Sequence, residues 1–130
     1  MSYGYTQQAT GNFSDITTAV QEALAREGFG VLSNIDVKDT LKKKLGVDQA
    51  PYQILGACNP KLAHQALSLE PELGLLLPCN VIIYEQDEKV FISAVDPEIL
   101  LGVTDNEELY EIATEVKERL RRVVDAVANK

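Results

Sequence analysis

Asn80-Val81-Ile82-Ile83-Tyr84-Glu85 and Val90-Phe91-Ile92-Ser93-Ala94-Val95, separated by the polar quartet Gln86-Asp87-Glu88-Lys89, decide the fold. Both runs are short and rich in β-branched and aromatic residues, so a polar break between them predicts a hairpin with a four-residue loop. A link that short forces antiparallel pairing, because parallel strands need a much longer crossover. Apolar residues on both parities of Val81-Ile82-Ile83-Tyr84 add a second expectation, that both faces of the sheet are at least partly covered. Helices account for one face; a second copy of the chain is the simplest cover for the other.

Upstream of the hairpin, Pro78-Cys79-Asn80 is a near mirror image of Cys58-Asn59-Pro60, and together they hold both cysteines of the chain. Pro51 starts a third strand over 52–58. Asn59-Pro60 then reads as a helix start, since asparagine caps well and proline suits the first turn. In the helix expected over 61–69, Leu62, Ala63, Ala66 and Leu67 share one face while His64 points away from it. Pro71 ends that helix. Residues 72–77, including Leu73-Gly74-Leu75-Leu76-Leu77, form an apolar stretch too short for a membrane span and expected as a buried loop or extended lead-in.

Towards the N-terminus, residues 3–9 alternate Tyr3, Tyr5 and Gln7 against Gly4, Thr6 and Gln8, which suits a first strand with its aromatics on one face. Ser14 is the expected N-cap of a helix carrying Ile16, Ala19, Val20, Ala23 and Leu24, and Gly28 stops it in the left-handed conformation with Phe29 folding back. From Phe29 the period becomes two, giving a second strand. Asp36 caps a short helix with Leu41 and Leu45 on its buried side and Gly46 at its end. Lys42-Lys43-Lys44 is the most basic run in the chain and reads as a solvated helix end, with an anion site as the alternative.

Downstream, Asp96-Pro97 breaks the sheet, residues 98–102 are expected to be irregular or a single turn, and Asp105 with Glu108 marks a helix start. Leu109, Ile112, Ala113, Val116, Leu120, Val123, Val124 and Val127 then keep one face apolar in the clearest periodic signal of the sequence. The order is β-α-β-α-β-α-β-β-α. It predicts an α+β fold, a single mainly antiparallel sheet with helices on one face, in one domain over 1–130.

Composition narrows the partners. Lys+Arg of 12 against Asp+Glu of 20 gives 12 − 20 = −8, a surface that repels phosphate backbones and anionic headgroups, so neither nucleic acid nor a membrane is expected. No basic patch followed by an apolar run opens the chain, and two cysteines without a disulfide framework suit a reducing, cytoplasmic setting.

Six residues are candidate ligand contacts: Cys58, Asn59, His64, Cys79, Asn80 and Asp96. Cys58 directly precedes a helix cap, where the positive end of the helix dipole favours a thiolate, which makes it the more reactive sulfur; a small buried residue at a strand end is the structural alternative. If the strands bearing Cys58 and Cys79 run antiparallel, both sulfurs come to one edge; if parallel, about 20 Å separates them. His64 is the natural general base by pKa, though a lone histidine on an outward helix face is more often merely solvated. Asn59, Asn80 and Asp96 also suit turn-fixing side chain to backbone bonds. Cys58, Cys79 and His64 are too few ligands for the usual zinc site. No cofactor motif occurs.

Gly56-Ala57-Cys58-Asn59-Pro60 with Ala63, Ala66 and Leu67, then Gly74-Leu75-Leu76-Leu77-Pro78-Cys79-Asn80-Val81, Tyr84-Glu85 and Asp96-Pro97, resemble the signature of the domain-of-unknown-function 302 family, and Gly28-Phe29-Gly30-Val31 fits it too. The resemblance implies a TATA-binding-protein-like fold, often a homodimer, with no established activity. A fold name carries no function, and DNA binding is not implied on an acidic surface.

Three functional expectations follow. The first is a site for a small ligand or a thiol-linked group formed where the two cysteine motifs converge. The second is a non-enzymatic homodimeric interaction module. The third is metal binding.

Overall fold

The computed structural model describes residues 2–129. Five strands, Gly4–Ala9 (β1), Gly30–Asp36 (β2), Tyr52–Cys58 (β3), Cys79–Gln86 (β4) and Lys89–Val95 (β5), form one sheet in the order β1-β5-β4-β3-β2. Every pairing is antiparallel. Helix α1 (Phe13–Arg26) carries the chain from one sheet edge to the other, after which β2 to β5 return neighbour by neighbour to meet β1. Alternation places Leu55, Val81, Ile83 and Ile92 on one face, all fully buried beneath α1 and the last helix, α5 (Tyr110–Ala128).

The α5 periodicity is realised. Ala113, Val116, Leu120, Val123, Val124 and Val127 are buried, and together contribute on the order of 10 kcal/mol of gross hydrophobic stabilisation. Two polar links tie α1 to the same helix. Arg119 donates to the Glu27 carbonyl at 2.8 Å, satisfying the end of α1, and Arg122 pairs with the Glu27 carboxylate at 2.9 Å. That hydrogen bond holds the Glu27 carboxyl below its ordinary range. Gly28 has φ 85° and Phe29 donates its N–H to Leu24 at 2.9 Å, the turn expected of a glycine-terminated helix.

Several boundaries differ from the sequence reading. The N-cap of α1 is Asn12, not Ser14: its Oδ1 accepts from Asp15 N at 2.8 Å, and asparagine caps as well as serine. The hairpin loop is two residues rather than four, because Asp87 and Glu88 both adopt positive φ, 54° and 63°, and Gln86 pairs with Lys89. Such a tight turn matches strand twist, at the cost of left-handed backbone at two non-glycine positions. Tyr3 precedes β1 and is exposed, so only Tyr5 faces α5, where its hydroxyl donates to Asp125 at 2.6 Å.

Residues 71–76 form a 3-10 helix, Pro71–Leu76, rather than an extended lead-in, with Leu73 buried and Leu75 exposed. Pro97–Gly102 is a short helix, α4, rather than an irregular segment; the Asp96 side chain accepts from Glu98 N at 2.9 Å and so caps it. Asp105 lies at φ 56° and caps nothing; Asn106 takes that role for a 3-10 turn, Glu107–Leu109, leading into α5. Helix α2 (Val37–Leu45) forms as expected between Asp36 and Gly46, yet it buries no residue, and Leu45 is 70% exposed. In α3 (Pro60–Leu69) Leu62 and Ala66 are buried, whereas Leu67 is largely exposed.

Leu120 is buried at the middle of α5. Leu120→Ala is expected to cost about 2 to 5 kcal/mol through lost burial and a cavity, to be checked by chemical denaturation.

Candidate functional site

Because β3 and β4 pair antiparallel with Ala57 opposite Cys79, the two cysteine motifs meet at one end of the sheet. Cys58 is one residue beyond that pair, at the end of β3. Both are free thiols. Cys58 is half-buried and Cys79 buried. Burial, and secondarily the charge of Cys58, pushes the Cys79 thiol up to about 11.

The corner is built from short-range rules. Asn59 Oδ1 accepts from Leu62 N at 3.2 Å, and Pro60 occupies the first turn of α3, where a missing N–H costs nothing. Opposite, the Pro78 ring packs on Gly56, where an added Cβ would lie 2.8 Å from the ring. Gly56 is thus required by close approach rather than by its backbone angles. Cys58, Asn59 and Cys79 line a cavity of about 40 Å³, walled by Phe29, Leu62 and Val116 among other apolar side chains. That volume admits roughly two or three water-sized groups, far below the ~300 Å³ at which drug-sized ligand pockets begin.

Three of the six candidate residues are therefore brought together: Cys58, Asn59 and Cys79. The other three are elsewhere. His64 is exposed on α3, away from the cavity lining. Asn80 is exposed on β4. Asp96 caps α4 and pairs with Lys117 of α5 at 3.1 Å, a clip between sheet and helix. Lys117 also bonds Glu98 at 2.7 Å, and the partners hold the Glu98 carboxyl below and the lysine above their ordinary values. Among the described residues no group of three or more His, Cys, Asp or Glu could hold a metal ion.

The second candidate surface is the sheet face away from α1 and α5. Register aligns Ile35, Ile54, Ile82, Ser93 and Thr6 in one row across all five strands, and Tyr52, Tyr84, Phe91 and Gln8 in the next. Tyr84 stacks on Tyr52 and on Phe91, with ring centroids 5.7 and 5.3 Å apart. None of these side chains belongs to a buried core cluster. The sequence signal was the apolar run on both parities of 81–84; the ladder itself requires register, which residue pattern alone does not supply.

The family model for the domain of unknown function DUF302 matches residues 5–127. The chain belongs to the DUF302 family. It is similar to a solved structure described as an uncharacterised conserved DUF302 protein from Bacillus stearothermophilus, with 30% identity, a TM-score of 0.92 and coverage of 98% of this chain and 99% of that one. No curated protein matches. Among the described residues of this DUF302 chain, no helix is long and apolar enough to cross a membrane.

Asn59→Ala is expected to lower stability by about 1 kcal/mol through loss of the cap, read as a shift in denaturation midpoint. The Cys79 thiol gives a pH signature. Its folded value of about 11 lies above the ordinary 9.0, so above pH 9 the unfolded chain releases the proton first. Stability is then fully present below about pH 9 and falls as pH rises towards 11, by on the order of 2 to 3 kcal/mol. Cys79→Ala should flatten that part of a stability-against-pH profile.

Proposed function

We propose that this DUF302 chain is a non-enzymatic interaction module that forms a homodimer through the uncovered face of its sheet. The observation that carries the reading is the apolar patch of Ile35, Ile54, Ile82, Tyr52, Tyr84 and Phe91. Ile35 is exposed and the other five are half-buried; the six are contiguous across four strands and belong to neither core cluster. Apolar patches of this kind on a folded surface mark interaction sites, and a self-complementary flat patch suits a two-fold dimer. Aromatic side chains supply large contact area with little rotamer freedom to lose, as interface anchors do.

A second reading is favoured by one feature, the cavity shared by Cys58 and Cys79. It suits a thiol-linked group of a few heavy atoms attached at Cys58, the more accessible sulfur, with Asn59 at its rim; it is too small for a larger ligand without opening. His64, Asn80 and Asp96 have no place in it. Two unbridged thiols fit a cytoplasmic setting.

Light scattering across a concentration series tests the first reading: the wild type should run at twice the monomer mass. Ile82→Lys, a charge placed at the centre of the patch, should raise the dissociation constant by about a hundredfold or more while leaving the thermal transition of the monomer nearly unchanged. A wild type that stays monomeric at millimolar concentration sinks the proposal. For the second reading, Cys58 should be alkylated quickly and Cys79 only on unfolding, as read by intact mass.

A further inference from the structure

The covered face of the sheet changes character towards its β2 edge. Cross-strand partners share a face, so Gln53, paired with Ile83 on one side and Asp36 on the other, lies on the side that α1 and α5 cover, as does Asn34, paired with the buried Leu55. Where Val81, Ile83 and Ile92 continue the core, these positions hold two amides and a carboxylate. Helix α1 answers them. Ser14, Thr17, Thr18 and Gln21 recur at i, i+3, i+4 and i+7 and so make one stripe of the helix, hydroxyl and amide throughout. The stripe and the sheet row wall a single groove of about 370 Å³, with Phe13 and Lys38 also in its lining.

We propose that this groove is a binding site for a neutral sugar ring. Asp36 and Lys38 are the only charged side chains that line it among the described residues, and they cancel, 1 − 1 = 0, in a chain of net charge −8. An anion would meet the carboxylate and a cation the amine. What remains is a mixture of donors and acceptors, which suits hydroxyl groups because each both gives and takes a hydrogen bond. Asp36 Oδ1 is occupied by Asp39 N at 2.9 Å, leaving Oδ2 to accept. Gln53 Nε2 donates to Asn34 Oδ1 at 2.6 Å, leaving Gln53 Oε1 to accept and Asn34 Nδ2 to donate. The Tyr52 ring stacks on Tyr84, so Phe13 is the aromatic side chain left to meet the C–H face of a sugar.

Two other grooves of the surface show the contrast, because their polar groups are already engaged. Beside Asp96, Lys117 is held by Asp96 and Glu98, and Arg121 lies over the Tyr5 ring at 4.3 Å. Beside Pro60, Arg119 is taken by Glu115 and by the Glu27 carbonyl. In the α1 groove Thr17 donates to the Phe13 carbonyl at 2.9 Å, whereas Ser14, Thr18, Gln21 and Lys38 make no side-chain hydrogen bond or ion pair among the described residues. A ligand there exchanges bonds with water for bonds with the protein and breaks no ion pair on entry. The volume lies at the low end of the ~300–1,000 Å³ found for small-ligand sites. Each such exchange gains little, which places the expected dissociation constant in the millimolar range.

Proton–nitrogen correlation spectra of the full chain test the site, with D-glucose, D-galactose, D-mannose, N-acetyl-D-glucosamine and D-ribose each titrated through the millimolar range. At least one should give saturable shifts at residues 14–21, 34–36 and 53, and inorganic phosphate should give none there. Thr18→Val removes a hydroxyl, and Asp36→Asn removes the free carboxylate oxygen while keeping a residue that caps α2 equally well. Each should weaken sugar binding by about tenfold with the thermal transition nearly unchanged. The proposal is overturned if no sugar shifts these resonances in a saturable way, if phosphate shifts them instead, or if both variants bind as the wild type does. The groove lies on the side of the sheet away from the apolar patch, so Ile82→Lys should leave sugar binding intact, and the fate of the dimer does not decide that of the groove.

Discussion

A five-stranded sheet with apolar side chains on both faces, and long helices enough for one, is the constraint from which the rest of this molecule follows. Leu55, Val81, Ile83 and Ile92 are sealed beneath α1 and α5, while their strand neighbours Ile54, Ile82, Tyr84 and Phe91 face the other way and reach neither core cluster. Alternation makes this unavoidable: a strand that buries one parity must present the other. The partial burial of the second face comes from side chains leaning on one another, most visibly in the Tyr52, Tyr84 and Phe91 stack. Such stacking hides ring faces from water without removing the patch as a whole, so the tendency to cover it remains.

The paired cysteine motifs have a structural role whatever their chemistry. Antiparallel pairing of β3 with β4 sets Gly56 opposite Asn80 and Ala57 opposite Cys79, so one motif leaves the sheet where the other enters it. Each must turn the backbone sharply there. Asn59 and Pro60 do so by starting α3, and Pro78 does so by lying across a glycine. The small cavity between them is what remains when two turns, a helix start and the side of α5 converge. Its walls offer almost no hydrogen-bonding partner, since the one side-chain amide nearby, Asn59, already accepts from Leu62. Whatever enters would be held mainly by contact with apolar groups, which restricts it to something small.

The sheet, its antiparallel sense and the apolar face of α5 were legible in the sequence because each is written as a period over many residues. Single-residue signals fared less well. Asn12 and Ser14 are both good caps, and nothing local separates them; Asp105 and Asn106 raise the same ambiguity, resolved by which residue turns left-handed. Leu41 and Leu45 form a helical apolar pair, yet Leu41 is only half-buried and Leu45 exposed, because α2 packs mainly on β2 and β3 at a corner of the sheet. Of the candidate site, the convergence of Cys58 with Cys79 hinged on strand direction and could only be stated conditionally. His64 and Asp96 were chosen by residue type, which says what a side chain can do and nothing about its neighbours.

Helix α2 half-buries Val37 and Leu41 and leaves Leu45 in water, so it gains less than most helices in proteins, whose stability comes from packing rather than propensity. Nine residues, three of them consecutive lysines, would not hold a helix alone. What holds α2 is its termini: Asp36 accepts from Asp39 N at 2.9 Å, Gly46 closes the end at φ 68°, and the lysines stand where the helix dipole favours positive charge. The chain therefore uses strong local signals to hold a basic helix at the corner of the sheet, where tertiary packing is thin.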